Sequence, residues 1–180
     1  MRKKDALFIY KTVVKHLKKK FVIPILILIS MISESCGEVV KTTFGNHMAY
    51  VFGSEDNPKE REYLLTKEIR TEVIKYSYKD EVDNERNIEF TYFPKTNTLN
   101  FGPDEFKEIK SAEFKIDTIS DIKFKRFHST STATDVTEPI LFNENYGVLA
   151  IGNVMAPTIV ILPYKSDLET AREIFEMTFK

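Results

Sequence analysis

Cys36 is the residue best placed to do chemistry in this chain of 180 residues, being its only cysteine and closing its most apolar stretch. A thiol with no partner in its own chain stays free, forms a disulfide with another molecule, or is consumed by acylation. The segment before it bears on that choice. Leu17-Lys18-Lys19-Lys20 is a basic cluster, residues 21–32 are an apolar run, and Ser33-Glu34-Ser35 leads into Cys36-Gly37. As a helix the run would reach roughly 18 Å, well short of the hydrocarbon core of about 30 Å. Extending it brings Glu34 into lipid, at about 2.5 kcal/mol or more, and Pro24 weakens the helix near its start. A cleavable secretion signal, ending at a small residue before a thiol, fits this pattern.

Residues 17–37 resemble the signals of bacterial prolipoproteins, which end in a lipobox with a small residue before an acylated cysteine. Two positions depart from that box: Ser33 stands where the family favours Leu, and Glu34 where it favours small residues. The resemblance implies removal of residues 1–35, lipidation of Cys36 and partnership with a membrane through its acyl chains. It also implies a place in the cell envelope, facing the periplasm or the cell surface. Arg2, Lys3, Lys4, Lys11 and Lys15 then form a long basic head that stays cytoplasmic. Translation beginning at Leu17 would shorten it.

Other chemistry-bearing groups are sparse. After the signal the histidines are His47 and His128, far apart, with no cysteine or carboxylate at ligand spacing. Ser129, Thr130, Ser131 and Thr132 follow His128, but no Gly-x-Ser-x-Gly elbow positions a nucleophile. Asp80, Glu81, Asp83 and Glu85 suggest a calcium loop, yet counted from Glu81 the run lacks the glycine at its sixth position, where Arg86 stands. It also lacks the bidentate acid at its twelfth, where Tyr92 stands. A solvated acidic turn is the reading. Gly152-Asn153 is a turn and not a phosphate loop. No catalytic, cofactor or metal-binding residue is assigned.

Charge narrows the partners. The chain holds 26 Lys+Arg and 27 Asp+Glu, but residues 1–36 take eight of the basic groups and only two of the acidic ones. The segment beyond Cys36 carries a net charge of −7, which repels phosphate backbones and excludes nucleic acid as a partner.

The elements that must position any site emerge from periodicity. Asn57-Pro58-Lys59-Glu60 has the form of a helix start, with Leu65 and Ile69 four apart on one face. From Ile74 the period becomes two, through Tyr76 and Tyr78, then Ile88, Phe90 and Tyr92. Pro94-Lys95-Thr96-Asn97 turns this strand toward Leu99 and Phe101. Alternation returns at Phe114-Lys115-Ile116 and Ile122-Lys123-Phe124-Lys125. Asn143-Glu144-Asn145 turns a second hairpin, with Gly147 available for a left-handed position. Residues 158–162 are almost continuously apolar, as in a strand covered on both faces. Ser166-Asp167-Leu168-Glu169 starts a last helix with Leu168, Ala171, Phe175 and Phe179 on one face.

The sequence thus predicts an α+β fold, a mainly antiparallel β-sheet with an N-terminal and a C-terminal helix. Its divisions are 1–35 as signal, 36–56 as acylated cysteine and tether, and 57–180 as one globular domain. The 14 Phe and 8 Tyr, many at alternating positions, either fill a core or line an apolar pocket. Core filling is the commoner use of such residues. The functional expectation is an envelope-anchored lipoprotein acting as a non-enzymatic binding or assembly module, with another envelope protein as partner. A carrier or sensor of a small apolar ligand is the alternative, and a hydrolase with a spatially assembled site the second.

Overall fold

Period-two patterning governs almost the whole chain from Val40 onward. The structure, a computed structural model, describes residues 39–53, 57–116, 119, 122–131, 137–153, 156–163 and 168–179. The signal, Leu17, Cys36, Ser166 and Asp167 lie outside these. In chain order the strands are β1 (Val40–Phe52), β2 (Lys59–Ile69), β3 (Ile74–Asp80), β4 (Ile88–Phe93) and β5 (Thr98–Phe101). They continue as β6 (Asp104–Lys115), β7 (Lys123–Ser129), β8 (Thr137–Asn143), β9 (Gly147–Asn153) and β10 (Thr158–Pro163), followed by helix α1 (Leu168–Phe179). Each strand pairs antiparallel with the next, and β1 pairs with β10, closing the sheet into a barrel. Closure leaves no full-length sheet edge to be protected.

Side chains alternate between the inside and the outside of this wall. Tyr63, Leu65 and Lys67 of β2, Tyr76 and Tyr78 of β3, and Phe90 and Tyr92 of β4 point inward and are buried. Eight strands already give an interior that side chains just fill, and width grows with strand number. A ten-stranded wall therefore needs larger residues, and the interior holds Tyr63, Tyr76, Tyr78, Phe90, Tyr92, Phe106, Phe127 and Phe142. The barrel is also flattened, because Tyr78 of β3 reaches Val148 of β9, almost opposite in strand order.

A second core lies outside the wall. α1 covers the outer faces of β1 and β8–β10, burying Ala171 and Ile174 against Tyr50, Leu141, Leu149, Val160 and Leu162. Phe175 stacks on Phe52 with centroids 4.5 Å apart. That cover is why β9 and β10 are apolar on both faces. Over β2–β4 the outer face instead carries Glu60, Glu62, Glu68, Lys75, Lys79 and Glu89. An apolar interior and a charged exterior are the reverse of a barrel that spans a bilayer. No helix among the described residues is long and apolar enough to cross a membrane.

The α+β expectation is therefore corrected to an all-antiparallel barrel with one C-terminal helix. The helix read from Asn57 is strand β2. A spacing of four, as between Leu65 and Ile69, is also a multiple of two and fits one face of a strand as well as a helix. Asn57 caps nothing; its side-chain oxygen accepts a hydrogen bond from Arg172 of α1 at 3.1 Å. Within residues 36–56, read as cysteine and tether, positions 40–52 are the first strand. Its alternation is hidden because positions 49–52 are buried on both faces and a bulge between Thr43 and Gly45 shifts the phase. Gly45, at φ +87°, supplies the left-handed residue such a bulge uses.

Candidate functional site

The strands run so that β1 begins, and the β2–β3, β4–β5 and β8–β9 turns fall, at one end of the barrel. This entry end holds two of the buried polar side chains, Lys67 and His47. Lys67 lies on the same face of β2 as Tyr63 and Leu65, so alternation points a cation into the apolar interior. Its amine donates to the carbonyl oxygen of Glu144 in the β8–β9 turn at 2.8 Å, and sits 5.7 Å from the centre of the Tyr76 ring. The Tyr76 hydroxyl donates to that same oxygen at 2.5 Å. Two donors from β2 and β3 thus meet on one acceptor from the opposite wall.

Around this point the turn forms a seal. The Asn143 side chain accepts from the amides of Asn145 and Tyr146, holding the turn's shape. Tyr146 donates to the carbonyl of Ile161 at 3.2 Å, tying the turn to β10. His47 of β1 stands edge-on to both Tyr78 and Tyr146 and donates from Nδ1 to the Gly45 carbonyl. On the far side of the same rim, Tyr92 donates to Asn97 at 2.8 Å, the Asn97 amide donates to Glu108, and Lys125 pairs with Glu108 at 3.0 Å.

Burial sets the protonation states. It lowers the pKa of Lys67, against the pull of the nearby Glu144 carboxylate, and lowers that of His47, against its bond to Gly45. It raises the phenol pKa values of Tyr76, Tyr78, Tyr92 and Tyr146, so these hydroxyls stay protonated and donate.

Inside this seal the barrel is filled. Tyr63, Tyr76, Tyr78, Phe90, Phe106, Phe127 and Phe142 each keep at most 1% of their surface open to a water-sized sphere. Tyr76 meets Phe142 edge-on at 5.2 Å across the interior, and Phe127 meets Phe142 at 5.8 Å. The aromatics are used as a packed core.

His47 is at the entry end, whereas His128, opposite Lys107 near the other end of β7, is at the far end. The two histidines do not share a site. The acidic turn is a turn: Asp80 accepts from the amides of Val82 and Asp83 at 2.8 and 3.0 Å, and Asp83 accepts from Glu85 at 3.0 Å and pairs with Arg86. Among the described residues no three His, Cys, Asp or Glu side chains are grouped to hold a metal ion. Sequence reading missed Lys67, Tyr76 and Glu144 as a group. A lysine in phase with Tyr63 and Leu65 was the available signal, and reading the segment as a helix hid it. No family model, curated protein or solved structure matches this chain.

Proposed function

We propose that this chain is a non-enzymatic binding module of the cell envelope, held to a membrane through acyl chains on Cys36, with another envelope protein as its partner. The observation that carries this reading is the filled interior. Opposite walls are bonded directly, Tyr78 to Val148 and Lys67 with Tyr76 to Glu144, so binding falls to the outer surface and the ends. A rigid barrel that presents loops is a sound scaffold for that purpose. The reading is tested in the producing cell, with a photo-crosslinking residue at Val82, the most exposed apolar side chain of the far end among the described residues. A discrete adduct with one envelope protein is expected. No adduct from Val82 or from the neighbouring far-end turns would overturn it.

A second reading, a carrier of a small apolar ligand, is favoured by the convergence of Lys67 and Tyr76. An amine and a hydroxyl aimed at one oxygen, at the mouth of an aromatic barrel, suit an acidic head group once the β8–β9 turn moves aside. A fluorescent fatty-acid analogue separates the readings. Saturable one-to-one uptake that weakens in Lys67→Met supports the carrier; no saturable uptake leaves the scaffold.

A further inference from the structure

We infer that the entry end of the barrel rests on the bilayer surface, with the β1–β2 lip as its contact, an inference that relies on the acyl anchor proposed at Cys36. The lip is visible in the strand register. Val40, Ile69, Ile74, Tyr92 and Leu99 follow one another across β1 to β5 as direct partners, so they share the inner face. Ile74, Tyr92 and Leu99 are buried, but Val40 and Ile69 keep 48% and 38% of their surface open. The inner apolar face therefore continues past the rim. Val39 at 51% and Phe44 at 46% add to it, so four of the seven large apolar side chains that stand exposed among the described residues lie in this one lip.

Three independent features name a membrane as the occupant. First, the anchor position is near: Val39 is the third residue after Cys36, roughly 10 Å of fully extended chain. Second, β10 pairs with β1 only from His47, so among the described residues positions 40–46 are bonded on the β2 side alone. Among the described residues the lip therefore has the β2 side as its only strand neighbour. Third, the charge runs along the same axis. Among the described residues Lys41, Arg70, Lys95, Lys115 and Lys123 surround the entry end, against Glu68, Glu72, Glu113 and Glu144, with Glu68 and Glu72 ion-paired with Arg70 and Lys95. Among the described residues Asp80, Glu81, Asp83, Glu85, Asp104 and Glu105 crowd the far end, against the bases Lys59 and Arg86, so the balance is acidic there. An anionic bilayer attracts the first group and repels the second. Apolar side chains beside basic ones are the composition of an interfacial contact.

The chain contains no tryptophan, so a single introduced indole reports only its own surroundings. Full-length protein made in a host that acylates lipoproteins is reconstituted into phosphatidylglycerol–phosphatidylethanolamine vesicles, with and without brominated acyl chains. Phe44→Trp should be quenched several-fold more by the brominated lipid than Val82→Trp. Both positions are exposed, so both variants keep the fold. Intact-mass measurement of the same preparation reports the anchor separately. Acyl mass with equal quenching at the two positions overturns this docking and leaves the anchor standing. An unmodified Cys36 overturns both. If the indole of Phe44→Trp is shielded from brominated lipid and from aqueous acrylamide alike, with a dimer on crosslinking, docking is overturned in favour of a second copy seated on the lip.

Discussion

The Tyr78 hydroxyl occupies the place where a β-carbon on Gly147 would fall: the two would be 2.5 Å apart. The same hydroxyl accepts the Val148 amide hydrogen at 2.7 Å, so β3 and β9 touch through one residue that must lack a side chain. Gly147 also sits at φ +93°, in the left-handed region. Gly147→Ala therefore meets two penalties: about 1–3 kcal/mol of backbone strain, and about 1–3 kcal/mol for leaving the buried Val148 amide unpaired. Tyr78→Phe alone incurs only the second. In denaturant melts, Gly147→Ala made on Tyr78→Phe should cost only the backbone part. Strictly additive losses would show that the hydroxyl is not what Gly147 accommodates.

The doubly covered strand β10 predicts a graded series. Ile161 is fully buried in the barrel interior, so Ile161→Ala should cost about 2–5 kcal/mol through lost transfer energy and a cavity. Ile159 is only partly buried against the same core and should cost less. Asp83 caps the short 3₁₀ turn through Glu85, so Asp83→Ala should cost about 0.5–2 kcal/mol. Glu81→Ala, on open surface, should stay within about 0.5 kcal/mol. Urea melts of the four variants check the order, and equal losses at Ile161 and Glu81 would contradict the packing described.

His47 predicts a dependence on pH. Burial lowers its pKa from the ordinary 6.5, so the unfolded chain takes up a proton at a higher pH than the folded one. In that window the unfolded state holds more protons, and stability rises with pH. It is therefore full above about pH 6.5 and falls as pH drops below it, by at most about 1.4 kcal/mol per pH unit for one proton. His47→Gln should flatten this part of the curve in melts taken at half-unit steps. An unchanged slope would assign the effect elsewhere. Asp80, whose pKa is lowered chiefly by the Val82 amide, adds a loss at more acid pH, below the ordinary carboxylate range.

Individual strands were legible where one face is wet, although the barrel they form was not. In β3 and β4 the sequence shows Ile74, Tyr76 and Tyr78, then Ile88, Phe90 and Tyr92, alternating with polar residues, and those are the inward positions. The face of α1 was legible in part: Leu168, Ala171, Phe175 and Phe179 were read on it, and the fully buried Ile174 was not. β1 was not, because α1 covers its outer side and apolar residues occur at every position from Ala49 to Phe52. β2 was misread because local capping chemistry at Asn57-Pro58 imitates a helix start, while burial of Tyr63, Leu65 and Lys67 decides the outcome. Closure itself rests on β1 meeting β10, a pairing across more than 100 residues that no local pattern encodes. The seal at Glu144 was invisible for a further reason: its acceptor is a backbone carbonyl, and the side chain at that position does not announce it.

The place of β1 in the wall fixes where the folding unit begins. A chain starting at Asn57 keeps β2 to β10 and α1 but loses the strand that bonds β2 along its length and β10 from His47 to Phe52. It also loses Ala49 from the interior and Tyr50 and Phe52 from the core beneath α1. Two long edges, on β2 and β10, would then stand open as templates for aggregation. Such a chain should show no cooperative urea transition and no near-ultraviolet tyrosine signal, and should self-associate on gel filtration. A chain starting at Gly37 keeps every pairing and has no disulfide to form, since the sole cysteine precedes it. It should melt in one transition in reducing buffer. A cooperative melt of the chain from Asn57 would mean that β1 is an accessory to the barrel and not part of its wall.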